Sequence, residues 1–164
     1  MKLHVKIIEA TVHPERLLPA IRAALAESAA LLEKEIRQRT PQGVGGTQSG
    51  LRGSMFGEIQ ESPFAVWAMV GSSLPYGIVV EFGRTPGKAM PPIAALLPWV
   101  KLKFGIADES EAKGMAFAVA RNIAKEGTLG RFMFYQGATA ALSRIVAIFE
   151  LHVGQVSASL ITND

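Results

Sequence analysis

The chain has 164 residues, 49% of them hydrophobic and 19% charged, which excludes general disorder and predicts a single domain over 1–164 with a real core. A net charge of +3 permits contact with nucleic acid without demanding it. The absence of cysteine excludes disulfides and thiolate metal sites, in keeping with synthesis in a cytoplasm, and no apolar run reaches membrane-spanning length.

The opening MKLHVKIIEA alternates charged and apolar residues, so it reads as neither a signal peptide nor an anchor. Leu3, Val5 and Ile7 against His4 and Lys6 predict a half-buried strand. After His13 and Pro14, the residues Leu18, Ile21, Leu25, Ala29, Leu32 and Ile36 recur at three- and four-residue steps and predict a long helix. Pro19 requires either an irregular first turn or a start at that point, and Thr40 before Pro41 closes the helix. PQGVGGTQSG then holds four glycines in ten residues and no apolar period, which predicts an exposed, mobile loop over about 41–53. A helix precedes it rather than a strand, so it is no dinucleotide fingerprint.

GSMFGEIQE and FAVWAMVG flank Ser62-Pro63 and predict two antiparallel strands joined by a turn. Phe64, Val66, Ala68 and Val70 share one face, and Ala65, Trp67 and Met69 the other. Both faces are apolar, so cover on both sides is expected, with Trp67 in the core or at a subunit interface. YGIVVEF fits a strand or a short helix. The following GRTPGK resembles a phosphate loop only superficially: three residues separate Gly83 from Gly87, Ala89 replaces the metal-binding hydroxyl, and Pro86 has no N–H to give. A solvated loop is the better reading.

From Pro92 the period is helical again, through Ile93, Leu96, Leu97, Val100 and Phe104 to Gly105, with Pro98 marking a kink or the true start. Ser110 is the expected cap of a helix carrying Ala112, Met115, Ala116, Val119 and Ile123 on one face and stopping at Gly127. A last helix is expected from near Arg131, with Phe134, Ala138, Leu142, Ile145 and Phe149 inward and a stop at Gly154; VSASLI reads as a closing strand. The order β, α, β, β, then helices predicts an α+β domain, a small antiparallel sheet packed with a long N-terminal helix and several C-terminal helices.

Little in the sequence points to catalysis. His4, His13 and His152 lie in separate elements without metal-ligand spacing, no G-x-S-x-G elbow is present, and most acids sit on predicted helix surfaces. No catalytic residue, cofactor-binding residue or metal ligand is therefore assigned. Glu81, inside IVVEFG, stands apart: it is either a catalytic acid or a partner for a basic group, and pairing is expected because no second catalytic group accompanies it.

Three segments together resemble a known family. TPQGVGGTQSGLRGSM, LPYGIVVEFGRTPGKAMPPIAALLPWVKLKFGI and AFAVARNIAKEGTLGRFMFYQGA are similar, in that order, to the tail-component, or tail-completion, family of long-tailed phage neck proteins, related in role to lambda's minor tail protein Z. The resemblance covers roughly residues 37 to 142. It implies a non-enzymatic structural protein of the virion neck, made in the host bacterial cytoplasm and forming a homo-oligomeric ring, sixfold by expectation. The ring would sit between head-completion proteins and the tail-terminator or tail-tube proteins, with genomic DNA passing through it and no membrane involved. On this view Trp67, Tyr76, Glu81 and Phe82 are expected at subunit interfaces. Arg37, Arg39 and Arg52, in a stretch without acids, are expected to line or border the DNA channel. The rival expectation is a DNA-binding regulator, because ARNIAKEGTLGRFMF within about 115–140 is similar to a helix-turn-helix, although RFMFYQGA offers few polar readers of bases.

Overall fold

The computed structural model describes residues 14–43 and 50–161. The strand expected at 3–9 and the centre of the Gly-rich loop lie outside the described residues. The elements are α1 (Pro14–Arg39), α2 (Gly50–Gly53), β1 (Met55–Ser62), β2 (Ala65–Ser72), α3 (Gly77–Phe82), β3 (Gly83–Arg84), α4 (Ile93–Phe104), α5 (Glu109–Glu126), β4 (Thr128–Leu129) and α6 (Met133–Ile161). The architecture is α+β: a small antiparallel hairpin packs on a long first helix, and helices follow it.

α1 and α6 form the largest packed pair. Ala24, Ala29 and Leu31 of α1 and Ala141 of α6 are buried, small enough in most positions to let the helix axes approach. At Gly137 the approach is backbone to side chain: a Cβ there would stand 2.6 Å from Ile36 Cγ1 and 3.0 Å from the Ile36 amide nitrogen. Two polar ties join the same helices, Arg144 to Glu35 and His152 Nε2 to Glu27, each at 2.9 Å.

The hairpin runs Met55↔Ser72 to Ser62↔Ala65, and Ser62 Oγ accepts from the amides of Phe64 and Ala65 to fix its turn. β1 and β2 both pack on α1. The core proper is Ile36, Leu51, Met55 and Met133, with Leu32, Val70, Leu74, Val80 and Phe134 around it. It sits where the end of α1, the start of the hairpin, α3 and the start of α6 converge.

α4 and α5 pack on each other, and Val100 of α4 and Ala112, Ala116 and Ala120 of α5 are fully buried. This helical arm is joined to the body through β3 and β4, paired Gly83↔Leu129 and Arg84↔Thr128. The ladder continues on either side: Arg131 N–H donates to Val80 O at 2.9 Å, Phe132 N–H to Glu81 O at 3.0 Å, and Gly87 N–H to Ala124 O at 2.8 Å.

Several expectations need correction. The end of the Gly-rich loop is the helical turn α2, in which Leu51 enters the core. Only one face of the hairpin is covered. The face of Val66, Ala68 and Val70 is half-buried, while Ala65, Trp67 and Met69 are exposed, so Trp67 is not a core residue. Phe64 belongs to the exposed turn. The cap of α5 is Asp108, whose carboxylate accepts from Glu111 N–H at 2.8 Å, and Ser110 is already inside the helix. The inward face of α6 is only partly the expected one: Phe134, Ile145 and Phe149 are half-buried, but Met133, Gly137 and Ala141 are the buried positions and Ala138 and Leu142 are exposed. It also runs through Gly154 to Ile161, so VSASLI is helical and not a strand. The packing of α6 along α1 offsets a glycine's cost of about 1 kcal/mol in a helix interior. The ambiguous YGIVVEF is the helix α3 with Tyr76 at its start, and β3 follows it.

Candidate interaction surfaces

The junction of α3, β3, β4 and α6 is built around Glu81. In the helical register of α3, Gly77, Val80 and Glu81 turn inward, while Ile78, Val79 and Phe82 face out. Glu81 is 6% exposed. Its carboxylate accepts from the Phe134 amide at 2.9 Å and from the Tyr135 amide at 3.2 Å. These are free donors of the first turn of α6, whose first intrahelical bond runs from Gln136 N–H to Phe132 O. Phe132 stands at the capping position with φ +50 and has no side-chain acceptor to offer. Glu81 supplies the missing cap from 53 residues away, and its negative charge complements the positive end of the helix dipole. The basic partner expected for Glu81 is therefore replaced by backbone amides. Its expected place at a subunit interface is corrected too, because the carboxylate is internal and already engaged.

Around that buried group the surface is apolar. Ile78, Val79, Phe82, Leu129, Phe132 and Tyr135 are all exposed, Phe82 at 68% and Leu129 at 93%, and the bonds just described bring their backbones together. A second stripe follows α6 through Tyr135, Leu142, Val146 and Val153, whose steps of seven, four and seven residues place them on one helix face. Trp67 and Met69 form a third exposed group on the hairpin, where Trp67 Nε1–H donates to Gln60 Oε1 at 3.2 Å. Tyr76, just before α3, is 47% exposed. Trp67, Tyr76 and Phe82 thus lie on the surface. Ile78, Val79, Leu129, Phe132 and Tyr135 escaped the sequence reading; a helical reading of YGIVVEF would have placed the first two beside Phe82.

The three arginines expected at a DNA channel all bond around the end of α1. Arg37 pairs with Glu33 and donates to Met55 O at 2.9 Å. Arg39 bonds both Glu35 O at 2.8 Å and Glu35 Oε2 at 2.6 Å. Arg52 donates from Nε and Nη2 to Thr40 O, at 3.0 and 2.6 Å, capping the last turn. All three lie in helical segments, Arg37 and Arg39 in α1 and Arg52 in α2, and all three guanidinium groups are engaged within the chain.

Glu35 links two of these ties. The hydrogen bond from Arg39, reinforced by the charges of Arg39 and Arg144, holds its carboxyl below the usual 4.5, against an opposing effect of desolvation. A folded value below the unfolded one contributes stability at pH above about 4.5, lost as pH falls through the folded value. Glu35→Gln is therefore expected to flatten the loss of stability below pH 4.5, as read from urea midpoints across pH. An unchanged acid limb would refute this.

Among the described residues, no group of three or more His, Asp or Glu could hold a metal, and no helix is long and apolar enough to cross a membrane. The segment with helix-turn-helix resemblance is not a packed helix pair: α5 packs on α4 and α6 on α1, with β4 between them. No family model, curated protein or solved structure matches the chain.

Proposed function

We propose that the chain is a non-enzymatic structural subunit of a phage head–tail junction, assembling as a homo-oligomeric ring around the DNA channel. The observation that carries the reading is the amount of exposed apolar surface, on α3, β4, the start of α6, the length of α6 and one hairpin face. A soluble monomer rarely leaves patches of that extent in water. Burying one exposed Phe or Leu side chain is worth about 1.5–3 kcal/mol, so a subunit with several has ample drive to associate.

A ring needs two different contact surfaces on each subunit, because its contacts are heterologous and closed by rotation. Apolar groups on separate elements meet that need. The resemblance to neck proteins supports the same reading, since VEFG and GTLGRF, from two of its segments, pair with each other in β3 and β4. Head-completion and tail-terminator or tail-tube proteins are the proposed neighbours along the axis.

The test is native mass spectrometry across protein concentration, with particle imaging of large species. A discrete closed oligomer, six or a multiple of six, is expected for the wild type. Phe82→Ser with Leu129→Ser is expected to reduce it to monomer while leaving the helical circular dichroism intact. An oligomer untouched by that pair, or a monomer at every concentration that also fails to join isolated heads and tails, would defeat the proposal.

A further inference from the structure

Residues 83–131, the arm and its base, hold eight Lys and Arg against four Asp and Glu, a net +4. The whole chain carries +3, so the rest nets −1. The partners differ as well, apart from Lys34 of α1, which is also exposed and has no ion pair to any described residue. In the body, Arg22 pairs with Glu61 and Arg144 with Glu35, and Arg37, Arg39 and Arg52 are committed as described. At the base of the arm, Lys88, Arg121 and Arg131 have no side-chain hydrogen bond or ion pair to any described residue, and Lys125 touches only its neighbour Glu126. The fold gathers these four. Gly87 N–H donates to Ala124 O, which sets Lys88 beside the last turns of α5, and the ladder through β3 and β4 brings Arg131 to the same base. All four are exposed.

We propose that the base of the arm is a surface for the phosphate backbone of duplex DNA. The negative end of the α5 dipole accounts for Lys125 at most, since that effect fades within the last turn. None of the four lines the groove of about 360 Å³ between α1 and α6 or that of about 350 Å³ between Gln42–Gly43 and α4. Exposed cations outside both of these grooves suit an extended row of charges better than a small anion, which needs a cradle of converging donors. Such contacts neutralise phosphates without reading bases, so they are weak and permit movement along the duplex. The choice of duplex DNA over an acidic polypeptide rests on the neck reading; the charge surface itself does not.

The experiment is titration of a labelled 30-base-pair duplex with the full chain, from low salt upward. Four phosphate contacts predict a log K against log salt slope of about −3.6, roughly a hundredfold loss between 50 and 200 mM salt. Lys88→Gln, Arg121→Gln, Lys125→Gln and Arg131→Gln combined should bring the slope near zero. A charge-matched control, Arg22→Gln, Lys34→Gln, Lys103→Gln and Lys113→Gln, should keep most of it. No duplex binding at low salt, an unchanged slope in the first variant, equal loss in the control, or polyglutamate competing as well as DNA would each overturn the proposal. Native mass spectrometry of the first variant keeps the two ideas apart. The wild-type oligomer with lost DNA binding speaks for this surface alone, whereas duplex binding by a strict monomer would leave the surface standing and the ring reading defeated.

Discussion

Glu81→Ala is expected to destabilise the protein by about 3 kcal/mol, because two part-buried amides lose a charged acceptor at roughly 1.5 kcal/mol each. For a chain of this size that corresponds to roughly 6–12 °C in Tm. The loss should concentrate at the start of α6, where Phe134 and Tyr135 donate and where Phe132 cannot substitute as a cap. Glu81→Gln keeps an acceptor oxygen without the charge and should cost about half as much. Thermal unfolding of the two variants, with hydrogen exchange at the first turn of α6, checks this. Equal, small shifts for both, under about 2 °C, would mean that the cap contributes little and that Glu81 is retained for another reason. The arrangement explains why a carboxylate occupies an apolar stretch: it stitches α3 to a helix that begins 50 residues later.

Gly127→Ala should act on the arm rather than on the body. Gly127 has φ +75 and closes α5 by donating to Ile123 O at 2.9 Å. A Cβ at this position would run into the carbonyl oxygen of Arg84 and stand 3.0 Å from Pro86 N, backbone groups with little freedom to yield. Across the ladder, Gly83 has φ +78 and the same problem, with Gly130 N at 2.6 Å. This positive-φ backbone, with ψ near −164°, is essentially open to glycine alone and costs an alanine about 1–3 kcal/mol, and the clash adds to it, for a total of about 3 kcal/mol or more. Since α4 and α5 pack chiefly on each other, that strain is expected to open the β3–β4 pairing while α1, α6 and the hairpin stay folded. Hydrogen exchange should show lost protection at Gly87 and around 128–132, with α1 and α6 amides unchanged. Protection that stays as in the wild type at those sites would refute the view of β3–β4 as a tightly closed base for the arm.

Both effects turn on contacts between segments far apart in sequence, and the same division separates what could be read in advance from what could not. The α+β class, the span of α1 up to Thr40, the hairpin with its turn after Ser62, the inward face of α5 and the stops at Gly105 and Gly127 were legible, because periodicity, capping and left-handed glycines act within a few residues. The true length of α6 was not. Its last residues suit a strand as well as a helix, and packing along α1 decided between them. Nor could the sequence say which apolar face stays in water. Trp67 and Leu142 follow the same patterns as buried residues, and only the placement of neighbouring elements left them uncovered. Arg37, Arg39 and Arg52 looked free because no acid lies within their own stretch, yet Glu33 and Glu35 one helical turn back and the carbonyls of Met55 and Thr40 take them up. The sequence by itself determined the elements and their stops. Tertiary structure decided the long-range partners, Glu81 with the α6 amides, Arg144 with Glu35 and Arg52 with Thr40, and which apolar faces stay exposed, because those contacts depend on distance in space and not on separation along the chain.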